Sequence, residues 1–228
     1  MYISLGASPA FAQTPDALYA DRENLASVTQ AVALWAAVAH EAPAFEPAWK
    51  LARAYYWLGV HGAESDRRHY LDLGITAAGQ AVRLSPDRPE GHFWQAANMG
   101  ALAEDFGLRA GLKYRTPIRE ALERVLRIDP AFMEGGADRA LGRWYFDVPS
   151  LFGGSNAKAE EHLRASLRYN EQSTVSHYFL AELFLDENRK TEARAELQRV
   201  LDAPLTTDWA PEDRDYKRKA STLLATLR

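Results

Sequence analysis

The apolar residues of this chain recur at spacings of three and four. Leu122, Val125 and Leu126 form one such set, and Leu163 and Leu167 another. That period puts them on one face of an α-helix, and few runs alternate with the period of two that a half-buried strand requires. Prolines punctuate the pattern. Pro43, Pro86, Pro130 and Pro204 each follow an apolar helical run by a short step, where a ring without an N–H no longer disturbs a helix. Ser85-Pro86 and Asp129-Pro130 therefore read as breaks between helical units.

A two-helix unit repeats inside this pattern. Leu141-Gly142-x-x-Tyr145 followed by Ala159-x-x-x-Leu163 is a tetratricopeptide-like signature. Small residues at Gly142 and Ala159 let two antiparallel helices approach, and Leu141, Tyr145 and Leu163 fill the seam. A second copy runs through Leu180-Ala181, Phe184, Ala193, Leu197 and Pro204. The spacing predicts a first helical stretch over residues 16–42, broken near Asn24. Helix pairs then start near Glu46, at Pro89, at Gly135 and at Ser173, and a last helix over 211–228 caps the stack with a charged outer side. The expectation is an all-α solenoid of about four to five irregular helix pairs with a C-terminal capping helix. Residues 13–228 would form a single helical-repeat domain. Extra chain is expected between the paired helices at 59–66, 107–115 and 148–156, giving either a rim of loops on one edge or drifted surface loops.

Composition narrows the function classes. The net charge is −4 and no basic stripe exists, so nucleic acid is not expected as a partner, because phosphate contacts need clustered Lys and Arg. The absence of cysteine removes disulfides, thiolate metal sites, Cys catalysis and a lipoprotein anchor. No apolar run is long enough to span a membrane. Residues 1–12 are uncharged, and Ala10 and Ala12 occupy the −3 and −1 positions of an A-x-A cleavage site. They read as the remnant of an export signal, the alternative being a frayed terminus rich in small residues.

The candidate chemistry is that of a binding surface. His40, His61, His69, His92, His162 and His177 are scattered without i, i+4 pairing, so no metal site is expected; nor is a cofactor, a nucleophile elbow or any catalytic residue. His92, Trp94 and Asn98 mix polar and apolar groups on one helix. They form either a ligand pocket or a hydrogen-bonded network between helices, and buried polar groups are more often satisfied internally. Arg139 and Arg143 lie one turn apart and suit either a bidentate clamp on a carboxylate or phosphate, or ion pairs with Glu104, Asp105 or Glu134. Gly153-Gly154-Ser155-Asn156 opens a helix. It lacks the phosphate-loop spacing and reads as a cap rather than an anion cradle. Trp49, Tyr55, Tyr56 and Trp57, then Phe93 and Trp94, then Trp144, Tyr145 and Phe146 supply more rings than one seam uses, and the surplus suits a groove or an interface.

Gly91-His92-Phe93-Trp94, Gly100 to Glu104, Leu141-Gly142-Arg143 and Gly153-Gly154-Ser155 with Lys158-Ala159 together resemble the T component of tripartite ATP-independent periplasmic (TRAP) transporters. The G-H-F-W and L-G-R-W segments are also similar to the regulators of microtubule dynamics. The resemblance covers the chain from about Trp49 onward. It implies a non-enzymatic periplasmic scaffold that assembles as a homotrimer. Such a scaffold would bind the transporter's periplasmic solute-binding protein and receive a small apolar or organic-acid ligand. The alternative is a general protein–protein adaptor without a small ligand. Because some members are lipoproteins and this chain has no cysteine, it is expected free in the periplasm. His92, Trp94, Asn98, Arg139 and Arg143 are the candidate ligand-binding residues.

Overall fold

The computed structural model describes residues 13–105 and 107–227, with the backbone alone at 105 and 107–110. The expected export-signal remnant at 1–12 lies outside the described residues. Among these residues the chain is helical throughout: α1 Pro15–Ala20, α2 Leu25–Glu41, α3 Phe45–His61, α4 Glu64–Leu84, α5 Pro89–Asp105, α6 Gly107–Ile128, α7 Phe132–Asp147, α8 Asn156–Leu167, α9 Thr174–Asp186, α10 Lys190–Asp202 and α11 Ala210–Thr226. The expected break near Asn24 is real. The Asn24 side chain caps α2 by accepting from the Ala26 N–H, and Thr14 caps α1 ahead of Pro15.

Successive helices pack as antiparallel pairs, and the first helices of the pairs also touch one another: α3 on α5, α5 on α7, α7 on α9 and α9 on α11. Two layers result, with α4, α6, α8 and α10 outside. The seams are narrow. A Cβ on Gly142 of α7 would lie 2.5 Å from Leu163 Cγ of α8, and one on Gly59 of α3 would lie 2.7 Å from Leu71 of α4. The same small-against-leucine contact thus builds two different pairs, and both leucines are fully buried. A main core runs from Leu18 to Ala193, and a smaller one joins Ala181, Leu197, Val200 and Ala220 at the C-terminal end.

The expected rim of three loops is corrected. Only Gly62 and Ala63 separate α3 from α4, and α6 begins at Gly107, so its first two turns occupy the stretch read as a loop. The glycines there and Pro117, which lies inside α6, carry a loop-like signal. Packing of α6 along α5 outweighs those weak local preferences. The third insertion is a long connector, a single 3₁₀ turn at Ser150–Phe152 before α8. Ser155 accepts from the Lys158 N–H as a cap, which leaves the Gly-Gly segment a structural role.

Candidate ligand groove

The first and last described helices are tied together. Arg22, in the corner between α1 and α2, forms an ion pair with Glu212 of α11 and donates to the Asp208 carbonyl at 2.6 Å. Its guanidinium also lies against the rings of Tyr19 and Trp57, 5.5 and 5.3 Å from their centroids, and its carbonyl accepts from Trp57 Nε1 at 2.6 Å. Arg214 of α11 pairs with Glu23 beside it. The last helix therefore reaches back to the first, and α3, α5, α7, α9 and α11 form the inner layer of the stack, whose inward side is the candidate groove. Between the α1–α2 corner, α3 and α11 lies a hollow of about 250 Å³ lined by residues including Trp57, His61, Asp215 and Arg218. Burial lowers the His61 imidazole below its usual range there.

The groove wall is aromatic and carries charge. The Tyr56 ring of α3 lies 5.7 Å from Trp94 of α5, and the Tyr216 ring of α11 lies 5.4 Å from Tyr178 and 5.8 Å from Phe179 of α9. Tyr56 and Tyr216 keep part of their surface open, yet burial against the surrounding walls pushes both phenols well above the usual range. Both also feel the charges of Glu104 and Arg139, and Tyr216 feels the Tyr56 phenol. They are neutral hydroxyls at any physiological pH.

The structure separates the five sequence candidates. Arg143 sits among three carboxylates: Asp147 at 2.7 Å, Glu182 at 2.7 Å and Glu104 at 3.8 Å. Burial alone would depress its guanidinium, but those carboxylates outweigh it and hold the charge more tightly than usual. Its ion-pairing capacity is taken up inside the protein. Arg139, one turn earlier, donates among the described residues to the Met133 carbonyl, at 3.4 Å. Burial pulls its guanidinium below the usual range against the pull of Tyr216, Glu134 and Tyr56. The backbone before it is unusual: Met133, Glu134 and Gly135 take positive φ values of 50°, 55° and 74°. This left-handed turn puts the Met133 carbonyl within reach of Arg139, and it is closed by Glu134 accepting from Asn170 Nδ2 at 2.6 Å. Gly135 suits it twice, through its φ and because a Cβ would lie 2.9 Å from Ser166 Cα.

Trp94 is buried and contributes one edge of the wall through Tyr56. Asn98 is corrected to a structural residue. It has no exposed surface, and its amide donates to the Ala52 carbonyl of α3 at 3.1 Å and to the Trp94 carbonyl at 2.7 Å. It occupies the space above Gly74 of α4, where a Cβ would lie 2.0 Å from Oδ1. Solvent and ligand alike are shut out. His92 is also displaced from the groove: it lies about 200° around α5 from Trp94, with Nε2 2.9 Å from the Pro86 carbonyl in the preceding turn. Sequence reasoning missed Tyr216, Phe179, Glu182 and the Arg22–Glu212 closure, because these groups meet only when the two ends of the stack come together. Among the described residues no group of three or more His, Asp or Glu is placed to hold a metal ion, and no helix is long and apolar enough to cross a membrane.

Comparison with known proteins gives the family. The family model for the TRAP transporter T-component matches residues 87–226, and that for regulator of microtubule dynamics protein 1-3 matches residues 12–153. The chain belongs to both families. The T-component match spans α5 to α11, which carry Trp94, Arg139, Arg143, Phe179 and Tyr216; the regulator match spans α1 to α7. This T-component chain is 24% identical over 197 residues to regulator of microtubule dynamics protein 2 of Bos taurus, covering 79% of the chain and 47% of that protein. It is 25% identical over 135 residues to regulator of microtubule dynamics protein 3 of Rattus norvegicus, covering 59% and 28%. It thus spans less than half the length of these curated relatives. A thermophilic TPR protein of Thermus thermophilus superposes with a TM-score of 0.69 at 22% identity, covering 92% of this chain and 97% of that one. The fold is accordingly that of a tetratricopeptide-like helical scaffold.

Proposed function

We propose that residues 13–228 act as one non-enzymatic scaffold domain, a periplasmic accessory subunit of a TRAP-type transporter. It binds the transporter's solute-binding protein and receives a small apolar or organic-acid ligand in the central groove, and the working unit is a homotrimer. The observation that carries this reading is the T-component match over residues 87–226, the segment that supplies four of the five helices around the groove. The aromatic wall of Tyr56, Trp94, Tyr178, Phe179 and Tyr216 supports it, since concave apolar surfaces with a few polar groups take organic ligands. Co-elution with a TRAP-type solute-binding protein, and a mass three times that of the 25.5 kDa chain by light scattering, are the expected results. A receptor that elutes alone, or a monomeric mass, overturns the corresponding part.

A second reading, a protein–protein adaptor without a small ligand, is favoured by a different surface. Leu34 and Val38 of α2 are 44% and 51% exposed, and apolar surface of that kind serves partner helices. Native mass spectrometry separates the two: a retained small molecule supports the transporter subunit, and a retained peptide supports the adaptor.

A further inference from the structure

The outward side of α2 is built unlike the rest of the surface. Residues 24–40 contain no Asp, Glu, Lys or Arg, although a quarter of the chain is charged. One side of the helix buries Val28, Ala31 and Trp35 where it packs on α1 and α3. The other side is exposed and carries Gln30, Ala33, Leu34, Ala37 and Val38. A helix that is apolar on both sides is normally covered, and the end of a solenoid normally turns a charged face to water. The last helix, α11, does so, with Arg214, Arg218 and Lys219 exposed. A hollow of about 350 Å³ lined by Gln13, Leu18, Gln30, Ala33 and Leu34 gives the α2 face relief that a neighbour's side chains can enter.

We propose that this face of α2 is where copies of this chain meet, with their α2 helices parallel and in register. The exposed face has two rows at i, i+4 spacing: Gln30, Leu34 and Val38 are large, and Thr29, Ala33 and Ala37 are small. Parallel helices related by a rotation axis along their length turn opposite flanks to each other, so each large row lies against a small row at the same height. Antiparallel copies turn like flanks together, large on large. The same small-against-leucine fit closes the seams at Gly142–Leu163 and Gly59–Leu71. The chain carries a net charge of −4, so most contacts between copies set like charges together, whereas this face has none until its end. There Glu41 falls on the flank of the large row and His40 on that of the small row, which brings Glu41 of one copy beside His40 of the next. A 17-residue helix is about 25 Å long and about 10 Å across. That is a small contact among specific interfaces, so the association belongs in the micromolar range. The contact gives the homotrimer proposed above a surface and serves two copies equally well, so it does not depend on the number three.

Cysteine cross-linking tests this on the whole chain, which has no cysteine of its own. Gln30→Cys and Ala37→Cys, made singly and oxidised at about 100 µM, should each give a disulfide-linked dimer. Parallel register sets each residue beside its counterpart, within the limit of about 7 Å between Cα atoms. The two positions lie about 10 Å apart along the helix, so antiparallel packing can join at most one of them. Gln198→Cys, on the exposed side of α10, is the collision control and should stay unlinked. Ala37→Glu sets like charges against each other and should lower the mass by light scattering to the 25.5 kDa of one chain; the position is exposed, so folding should be unaffected. Linking of only one α2 cysteine or of neither, equal linking of the Gln198 variant, or an unchanged mass for Ala37→Glu overturns the proposal. So does an unaltered chain that is monomeric at about 100 µM or that carries a foreign helix on this face. A mass of two chains with both cross-links keeps the α2 contact and removes the trimer, and a mass of three with neither removes the contact and keeps the trimer.

Discussion

At the scale of single residues, the decisive feature is how little room the seams leave. Gly142 costs helix stability of about 1 kcal/mol against alanine, yet a Cβ there would meet Leu163 Cγ at 2.5 Å and the Ala159 carbonyl oxygen at 3.1 Å. Leu163 is fully buried and has nowhere to move. Gly142→Leu should therefore lower stability by about 3 kcal/mol or more through overpacking, read by urea unfolding; an unchanged midpoint would mean that α7 and α8 do not pair this way. Arg143 makes a second residue-scale prediction. Arg143→Ala leaves Glu104, Asp147 and Glu182 facing one another and should cost about 2 kcal/mol at pH 7. Burial already raises the Asp147 carboxyl above its usual range, so its protonation as the pH is lowered should relieve the repulsion and shrink the loss. A loss independent of pH would assign the arginine to packing alone. Gly142 was legible as a close-approach position from its place in the L-G-x-x-Y pattern. Asn98 was legible only as a polar residue on an apolar face, because its partners Ala52 and Gly74 come from two other helices.

At the scale of elements, the pairs are held by apolar seams reinforced with buried polar contacts. Between α9 and α10, His177 Nδ1 lies 2.6 Å from Glu196 Oε2 while its Nε2 faces the Glu171 carbonyl at 2.9 Å. Burial pushes the Glu196 carboxyl up, but hydrogen bonds to His177 and Arg199 outweigh it, and the balance lies below the ordinary glutamate value of 4.5. A carboxylate with a depressed folded-state pKa contributes stability above its unfolded value and loses it as the pH falls through that value toward the folded one. The stability difference between the unaltered chain and Glu196→Gln should thus be full at pH 6–7 and shrink below about pH 4.5. Matched denaturation curves at both pH values check it, and a constant difference counts against the pair. The boundary errors belong to this scale too. The helical start of α6 was not legible because Gly107, Gly111 and Pro117 all favour loops locally, and only contact with α5 decides the matter.

At the scale of the whole molecule, the last helix closes onto the corner between the first two. Arg22 is 7% exposed in its side chain and reaches across 190 residues of sequence to Glu212. Burial raises the Glu212 carboxyl above its usual range despite that arginine, so Glu212 depends on Arg22 to stay ionised at low cost. Arg22→Ala should destabilise the chain by about 3 kcal/mol, the penalty for stranding one member of a shielded pair. Hydrogen exchange should speed up in α11 and in the α1–α2 corner together. Faster exchange in only one of them would mean the ends do not hold each other. Because the link is made of long side chains, its loss should open the groove while the α3–α10 pairs stay folded.

The helical period, the proline breaks and the small-residue positions determined a stack of antiparallel helix pairs, since these are local preferences written within a few residues of each other. They also marked Arg139 and Arg143 as neighbours on one turn. Tertiary structure decided which of the two is already neutralised, that Asn98 is sealed inside a seam, that His92 faces away, and that α11 returns to Arg22. Each of those outcomes depends on groups tens to hundreds of residues apart, whose meeting is set by the accumulated twist of the stack and by no short-range pattern.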